Sequence, residues 1–206
     1  GGKVIFWADR RMRFLGLVRG RGGKYFGNGG LVEVSGKEEL YFDGLVDTSA
    51  ANGKTGTLLL DPNTITIADG SGGTTASGAA TFTTIYEDTL EAVSATTNIE
   101  LLATSLITLQ SLSDGVLNLK QTSGNSVTFT VTKGDITFQA NNTISTNGGS
   151  INFNADGPVT VGSLISNGGD ISLIGNDLIL AGNLASGGGN ITISHNEGGI
   201  IGLGGT

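Results

Sequence analysis

Basic residues are concentrated at the start of this 206-residue chain, where they could bind an anion. Residues 1–30 carry seven Lys or Arg and one acid, a net charge of +6, whereas residues 31–206 carry four bases and seventeen acids, a net charge of −13. A basic stripe attracts acidic polysaccharides or lipid head groups through its electrostatic field. The candidate contacts are the arginines of this stripe, Arg10, Arg11, Arg13, Arg19 and Arg21. Solvated outward positions are the simpler interpretation, and we favour it.

The whole chain is acidic, with a net charge of −7. This balance argues against a nucleic-acid-binding protein, in which a basic excess dominates one face. No stretch of the sequence approaches the ~18 consecutive apolar residues of a membrane-spanning helix. We therefore expect no nucleic-acid partner and no membrane span.

Aspartates in turn-like positions could supply oxygen ligands for calcium. They are Asp69, Asp135, Asp156, Asp170 and Asp177. A calcium-binding nonapeptide solenoid needs Gly-Gly-x-Gly-x-Asp to recur about every nine residues, and this phrase is absent from the chain. Aspartate is also a common turn residue because its side chain hydrogen-bonds the nearby backbone. We therefore predict turn aspartates, with no metal and no cofactor.

Catalytic signatures are weak in this sequence. Glycoside hydrolysis needs two carboxylates at a defined separation, and acids here seldom fall at equivalent positions of neighbouring repeats. The single histidine, His195, lies in a turn-like Ser-His-Asn stretch, and no Gly-x-Ser-x-Gly elbow is present. The sequence therefore predicts no catalytic residues and a protein that is not an enzyme.

A repeat of about twenty residues near the end of the chain determines the predicted architecture. Gly149–Phe153 returns as Gly169–Leu173 and again as Gly189–Ile193, and a looser copy, Gly134–Phe138, precedes them. Self-similarity at such a fixed period indicates stacked supersecondary units. Each unit presents a uniform outer surface rather than a pocket.

Short strands separated by turns make up each repeat. In the repeat that begins at Gly149 they are residues 151–153, 159–161 and 164–166. Most of them alternate apolar and polar residues, which is typical of strands with one buried face. Three such strands in a single repeat are too short for a hairpin sheet, but they can wind as one triangular coil. The sequence thus predicts an all-β parallel β-helix, and its 36 Gly, 2 Pro and no Cys argue against collagen and proline-rich linkers.

The predicted organisation is one continuous solenoid in three stretches. Residues 1–62 are coils with longer turns, and residues 99–206 are coils of about twenty residues. Residues 63–98 break this rhythm and contain a flexible-looking loop at 68–75. A short helical insertion near 84–95 is predicted because Thr84 and Glu87 have capping-box spacing.

A family resemblance rests on three blocks of the sequence, residues 1–9, 27–37 and 56–62. Together they resemble the filamentous haemagglutinin-like large exoproteins of the two-partner secretion pathway, especially the cyanobacterial kind. The resemblance implies a right-handed parallel β-helix that is exported through an outer-membrane transporter barrel. Family members are adhesins, matrix components or carriers of a distal effector.

From this resemblance we expect a segment of a secreted or cell-surface filamentous exoprotein of a Gram-negative bacterium, serving as an adhesin or structural stalk. Surface glycans and host or matrix components are its expected partners. The chain starts within the repeat pattern and has no initiator methionine, so we expect a piece of a longer protein. The alternative is a carbohydrate-active β-helix enzyme, such as a polysaccharide lyase or hydrolase.

Overall fold

A computed structural model describes residues 1–71 and 83–196. The chain is nearly all β, with 53 % strand and 3 % helix. The prediction of an all-β chain with parallel sheets is confirmed, because every named strand pair is parallel. In the described part of the chain, no helix is long and apolar enough to cross a membrane.

Two sheets of eight strands each run along the whole described chain. The first sheet contains, in spatial order, β1 (Lys3–Ala8), β4 (Leu31–Gly36), β7 (Thr57–Leu60), β10 (Asn98–Ala103), β13 (Ser126–Val131), β16 (Ser150–Ala155), β19 (Ile171–Gly175) and β22 (Ile191–His195). The second contains β2 (Arg11–Phe14), β5 (Glu39–Phe42), β9 (Thr84–Tyr86), β8 (Thr64–Ala68), β11 (Leu106–Leu109), β14 (Asp135–Phe138), β17 (Val159–Val161) and β20 (Leu178–Leu180).

A third face of the molecule carries two shorter sheets. One pairs β3 (Leu17–Arg19) with β6 (Leu45–Asp47), and the other joins β12 (Val116–Thr122), β15 (Thr143–Asn147), β18 (Ser163–Ile165) and β21 (Leu184–Ala185). The chain visits the first, second and third faces in turn, and each such passage is called a coil below. This order of parallel strands is consistent with a parallel β-helix or solenoid.

Strand register shows how the length of a coil changes along the chain. Arg10 and Glu38, which face each other across the first two coils, are 28 residues apart. The third coil is the longest, because Thr57 of β7 pairs with Asn98 of β10. In the late coils, Ser150, Asp170 and Asn190 follow one another at intervals of 20 residues. The repeat seen in the sequence is therefore the shortest form of a coil.

Inward side chains of successive coils stack on one another and form one core. On the first sheet, the second inward position is occupied by Phe6, Val34, Leu60, Leu101, Phe129, Phe153 and Leu173. The rings of Phe129 and Phe153 stack with centroids 4.8 Å apart. Phe138 of the second sheet meets both rings edge-on, at 5.2 and 5.4 Å. Burial of these columns across coils is the main source of stability, because one coil cannot bury its own apolar face.

Buried hydroxyl groups mark the corner between the third and first faces in the late coils. Thr146 Oγ1 donates to the carbonyl of Gly149 at 2.6 Å and lies 3.1 Å from the carbonyl of Ser166 in the next coil. Ser166 and Ser186 contact Gly169 and Gly189 in the same way. The repeated glycines thus accept hydrogen bonds that turn the chain at each corner.

In the region that interrupts the repeat, the helix differs from the one predicted near residues 84–95. Helix α1 (Glu87–Glu91) has five residues, and Thr84 lies in strand β9 instead of capping the helix. The predicted capping box is wrong, because Tyr86 precedes the helix in an extended conformation and makes no side-chain cap. Residues 72–75 of the predicted loop lie outside the described residues.

Strand β9 enters the second sheet between β5 and β8, although it follows β8 in the chain. Helix α1 then lies between the second and fourth coils on the third face. Thr89 Oγ1 donates to Asp43 at 2.9 Å, and Glu91 accepts a 2.7 Å hydrogen bond from the Asn118 amide of β12. Leu90 and Val93 are buried in the core. The helix therefore takes the place of a third-face strand, which explains why that face carries two sheets.

Two further predictions from the sequence are wrong. The looser copy Gly134–Phe138 is not equivalent to the later repeats, because β14 lies in the second sheet and they lie in the first. The equivalent segment of its coil is β13. His195 lies at the end of strand β22 and not in a turn, since the backbone pairs with Gly175 of β19.

Candidate functional site

The five candidate arginines all lie in the first coil. Arg11 and Arg13 are outward residues of β2, Arg19 ends β3, and Arg10 and Arg21 flank these strands. The alternation of β2 places Met12 and Phe14 toward the core, which leaves the arginines in solvent. The fold thus brings the predicted residues together along two neighbouring faces.

Carboxylates of the second coil face this basic coil. Arg10 Nε lies 3.2 Å from Glu38, Arg11 Nε lies 2.5 Å from Glu39, and Arg21 Nε donates to Asp47 at 2.5 Å. On the first sheet, Lys3 Nζ lies 3.9 Å from Glu33. The basic side chains are exposed, although Glu33, Glu39 and Asp47 are partly buried. Water and salt therefore screen these pairs, and each contributes about 0–1 kcal/mol to stability. Their larger effect is to neutralise much of the positive field of the first coil.

The other two arginines are held differently. The guanidinium of Arg13 lies 5.5 Å from the centroid of the Tyr41 ring in the next coil, within cation–π range. Arg19 is exposed and pairs in register with Asp47. The stripe is therefore a ladder of contacts between two coils as well as a basic surface.

Removing the opposing carboxylates should expose that basic surface. We expect the triple variant Glu38→Gln, Glu39→Gln, Asp47→Asn to bind a heparin column more strongly than the unmodified chain, eluting at higher salt. The matched control Asp135→Asn, Asp156→Asn, Asp170→Asn changes net charge equally on other coils. Equal shifts in elution for both variants would show that total charge, and not the first coil, governs retention.

A second charged group lies on the outer face of the first sheet. Register places Glu33 of β4 and Glu100 of β10 on either side of outward Leu59, while Asp61 follows β7 one outward position further along. Ser35 Oγ donates to Glu33 at 3.1 Å. Burial raises the pKa of Asp61, and the negative charges of Glu33 and Glu100 raise it further. Asp61 therefore lies in the negative field of two other carboxylates.

Exposed apolar residues surround these acids. Trp7, the only tryptophan, is 56 % exposed and Ile5 is 48 % exposed, both on the outer side of β1. Leu59 and Leu102 occupy outward positions in the third and fourth coils. Further along the sheet the outward positions become polar, as at Thr128, Asn152, Ser172 and Thr192. Ile174 of β19 is an apolar exception among these outward positions. Carboxylates and apolar side chains occur together on the first four coils, and we name the surface of Ile5, Trp7, Glu33, Leu59, Asp61, Glu100 and Leu102 the acidic face.

Asp61 gives a pH dependence of stability with a defined sign. Its pKa in the folded chain lies above the ordinary value of 3.8, so its contribution is most favourable at low pH and is lost as pH rises through the folded pKa. We therefore expect Asp61→Asn to raise the urea midpoint at pH 7 and to have little effect below pH about 3.8.

Asp47→Asn is the matched comparison, because its expected effect on stability at pH 7 has the opposite sign. Burial raises the pKa of Asp47, but hydrogen bonds from Ser49 and Arg21 outweigh it and hold the pKa below 3.8. Its stabilisation is present at neutral pH and disappears as pH falls through that lowered pKa. The variant should therefore be less stable at pH 7 and converge with the parent in acid. If the urea midpoints of both variants changed with pH in the same way, the opposite pKa shifts of Asp61 and Asp47 would be contradicted.

A third carboxylate group lies at the interrupted coil. The Gly70 amide donates to Glu87 Oε1 at 3.0 Å, and the Ser113 amide donates to Asp69 at 2.6 Å. Burial raises the pKa of Glu87, and the charges of Asp114 and Asp69 add to this effect. The pKa of Asp69 is lowered by its hydrogen bonds from Ser113. Two neighbouring carboxyls with pKa values shifted in opposite directions are a pattern found at acid–base sites.

Of the five predicted turn aspartates, Asp135 lies in strand β14 and not in a turn, so that prediction is wrong. Three of the others, Asp69, Asp170 and Asp177, accept hydrogen bonds from backbone amides. Asp170 accepts from the Asn190 amide at 2.7 Å and Asp177 from the Leu178 amide at 2.9 Å. Within residues 1–71 and 83–196, no three His, Asp or Glu side chains are arranged so that they could hold a metal ion.

Sequence reasoning missed two carboxylate groups. One consists of Glu33, Asp61 and Glu100, and the other of Glu87 and Asp69. Glu33 and Asp61 could not have been matched from the spacing of Arg10 and Glu38, because the register shortens from 28 to 26 residues between the second and third coils. Glu100 could not be matched either, because the interruption lengthens the third coil beyond every other spacing. No family model, curated protein or solved structure matches this chain.

Proposed function

We propose that this chain is a segment of a secreted or cell-surface filamentous exoprotein that serves as a stalk or adhesin. The observation that carries the proposal is the first sheet, which continues through every described coil from β1 to β22. Its strands lie in unbroken parallel register, even where the second and third faces are interrupted. A continuous ladder of paired strands gives a long, stiff structure along one axis.

The proposed architecture is a right-handed parallel β-helix with about three short strands per coil. Eight strands at a spacing of about 4.8 Å span roughly 34 Å, so each added coil extends the rod without altering its cross-section. Polar outward positions in the later coils suit a solvated stalk, and the acidic face and basic first coil suit contacts with other surfaces.

The family resemblance of residues 1–9, 27–37 and 56–62 supports the proposed cellular setting. That setting is the outer surface of a Gram-negative bacterium, reached through an outer-membrane transporter barrel. Surface glycans and matrix or host components are the proposed partners, with no catalytic role for the chain.

Antibodies against the chain test this location directly. We expect them to label intact cells of the source organism, and to lose that signal when the transporter barrel is deleted. A periplasmic protein should stay unlabelled in intact cells and so control for membrane integrity. Labelling that requires permeabilised cells would contradict a surface role.

Removal of residues 149–168, one full repeat, tests the stalk in the isolated chain. Stacking predicts a folded product that is shorter by about 4.8 Å, because β19 can then pair with β13. Small-angle scattering measures the length, and far-UV circular dichroism measures the fold. An unfolded product would show that coils are not interchangeable units.

A carbohydrate-active enzyme is a second candidate, favoured by the opposed pKa shifts of Glu87 and Asp69. Against it, Glu87 is 7 % exposed, which leaves little room for substrate. Cleavage of acidic polysaccharides by the full chain, abolished by Glu87→Gln and retained by Glu91→Gln, would establish this function. Equal product formation by the chain and a boiled sample would exclude it for the polysaccharides assayed.

A further inference from the structure

Two adjacent aromatic residues in the first coil are almost fully exposed. Tyr25 is 76 % and Phe26 is 82 % exposed, in the connection between β3 and β4. Large exposed aromatics next to charged residues are typical of protein–protein contacts, where rings supply most of the binding energy. Arg19 at the end of β3 and Arg21 and Lys24 in the connection add positive charge, so we name residues 19–27 the basic loop.

The basic loop is anchored to the second coil. The Gly22 amide donates to the carbonyl of Ser49 at 2.8 Å, and Asn52 Nδ2 donates to the carbonyl of Lys24 at 3.0 Å. The ammonium of Lys24 lies 5.3 Å from the Tyr25 ring centroid. After the aromatic pair, the Gly29 amide donates to the carbonyl of Lys54 at 2.9 Å. Because the backbone is thus fixed on both sides of the pair, binding through it would cost little conformational entropy.

The acidic face has the opposite charge and a matching apolar content. Trp7 and Ile5 offer exposed apolar surface, and Glu33, Asp61 and Glu100 offer three carboxylates. Lys3 approaches this group, with its Nζ 3.9 Å from Glu33, and offsets part of the negative charge. Among the described residues, this face and the basic loop are therefore complementary in both charge and apolar surface.

We propose that the chain binds a second copy of itself side by side, through the basic loop of one copy and the acidic face of the other. Phe26 and Tyr25 pack against Trp7 and Ile5, while Arg21 and Lys24 approach Glu33 and Asp61. Arginine or lysine over the Trp7 ring adds a cation–π contact. The partner is thus a second copy of this chain.

The two surfaces are different patches of one molecule. Their contact either closes into a pair, when each copy supplies both patches, or extends into an open row of copies. Both arrangements place solenoids side by side, which thickens a stalk into a bundle. The contact is small by the standard of stable dimers, so we expect association at roughly 10–100 µM.

Sedimentation of the full chain at low ionic strength tests the proposal. We expect a concentration-dependent shift above the monomer, reversed by about 0.5 M salt. The loop variant Tyr25→Ser, Phe26→Ser and the face variant Trp7→Ser, Glu33→Gln should each weaken association at least tenfold. The control variant Leu45→Ser, Ile179→Ser removes exposed apolar side chains elsewhere and should associate like the parent.

Mixing the two deficient variants gives the sharpest result. The loop variant keeps the acidic face and Trp7, whereas the face variant keeps the basic loop and contains no tryptophan. Titrating the second into the first should shift the Trp7 emission and restore a heterodimer. A parent chain that stays monomeric at several hundred micromolar, or association that persists in both variants, would overturn the proposal.

Discussion

Replacing Phe153 with alanine is expected to lower the free energy of unfolding by about 3–5 kcal/mol. Phe153 is 1 % exposed and stacks on Phe129 of the preceding coil at 4.8 Å, with Phe138 edge-on at 5.4 Å. Truncation removes two aromatic contacts and leaves a cavity. The neighbouring coils cannot close over it, because the backbone ladders on both sides fix their spacing.

Urea unfolding followed by far-UV circular dichroism measures this loss. Phe153→Leu should retain more than half of the stability, since it keeps most of the apolar volume. Phe26→Ala is the matched control for ring removal, and its 82 % exposure predicts a change within about 0.5 kcal/mol. A loss below about 1 kcal/mol for Phe153→Ala would mean that the core is less tightly packed than its ring geometry indicates.

Alternation and turn residues were enough to predict the late coils. Residues 151–153, 159–161 and 164–166 overlap β16, β17 and β18, because period-two burial and a narrow core constrain these short strands strongly. The same local signal placed Gly134–Phe138 in the wrong sheet. The alternation of apolar and polar residues specifies which side of a strand is buried, but strands of all three faces share it. The sheet to which a strand belongs therefore depends on stacking between distant residues.

Long-range stacking also explains what was missed around the candidate site. The five arginines were found by composition, yet their partners Glu38 and Glu39 follow Arg10 and Arg11 by 28 residues, which is the first-coil register. This match becomes visible only when the register is known. The return of β9 between β5 and β8 has no local signature at all. It depends on the packing of Leu90 and Val93 against coils that are formed by remote parts of the chain.

Replacing Gly169 with alanine is expected to lower the free energy of unfolding by about 3 kcal/mol, although it adds only one methyl group. A Cβ at Gly169 would meet the carbonyl oxygen of Gly149, and it would lie 2.8 Å from that of Gly148. Both obstacles are backbone atoms of the preceding coil. Relief therefore requires the two coils to separate at a corner where Ser166 Oγ already bonds the Gly169 carbonyl.

The repeat allows the same prediction to be tested at an equivalent glycine of the next coil. Gly189 faces the carbonyl of Gly169 in the preceding coil, so Gly189→Ala should be destabilising for the same reason. Gly2→Ala is the control, because a Cβ there meets nothing within 4 Å and should change stability by less than about 0.5 kcal/mol. Urea midpoints rank the three variants. If Gly169→Ala matched Gly2→Ala, the repeat would not require glycine at this corner, and close approach between coils would be the wrong explanation.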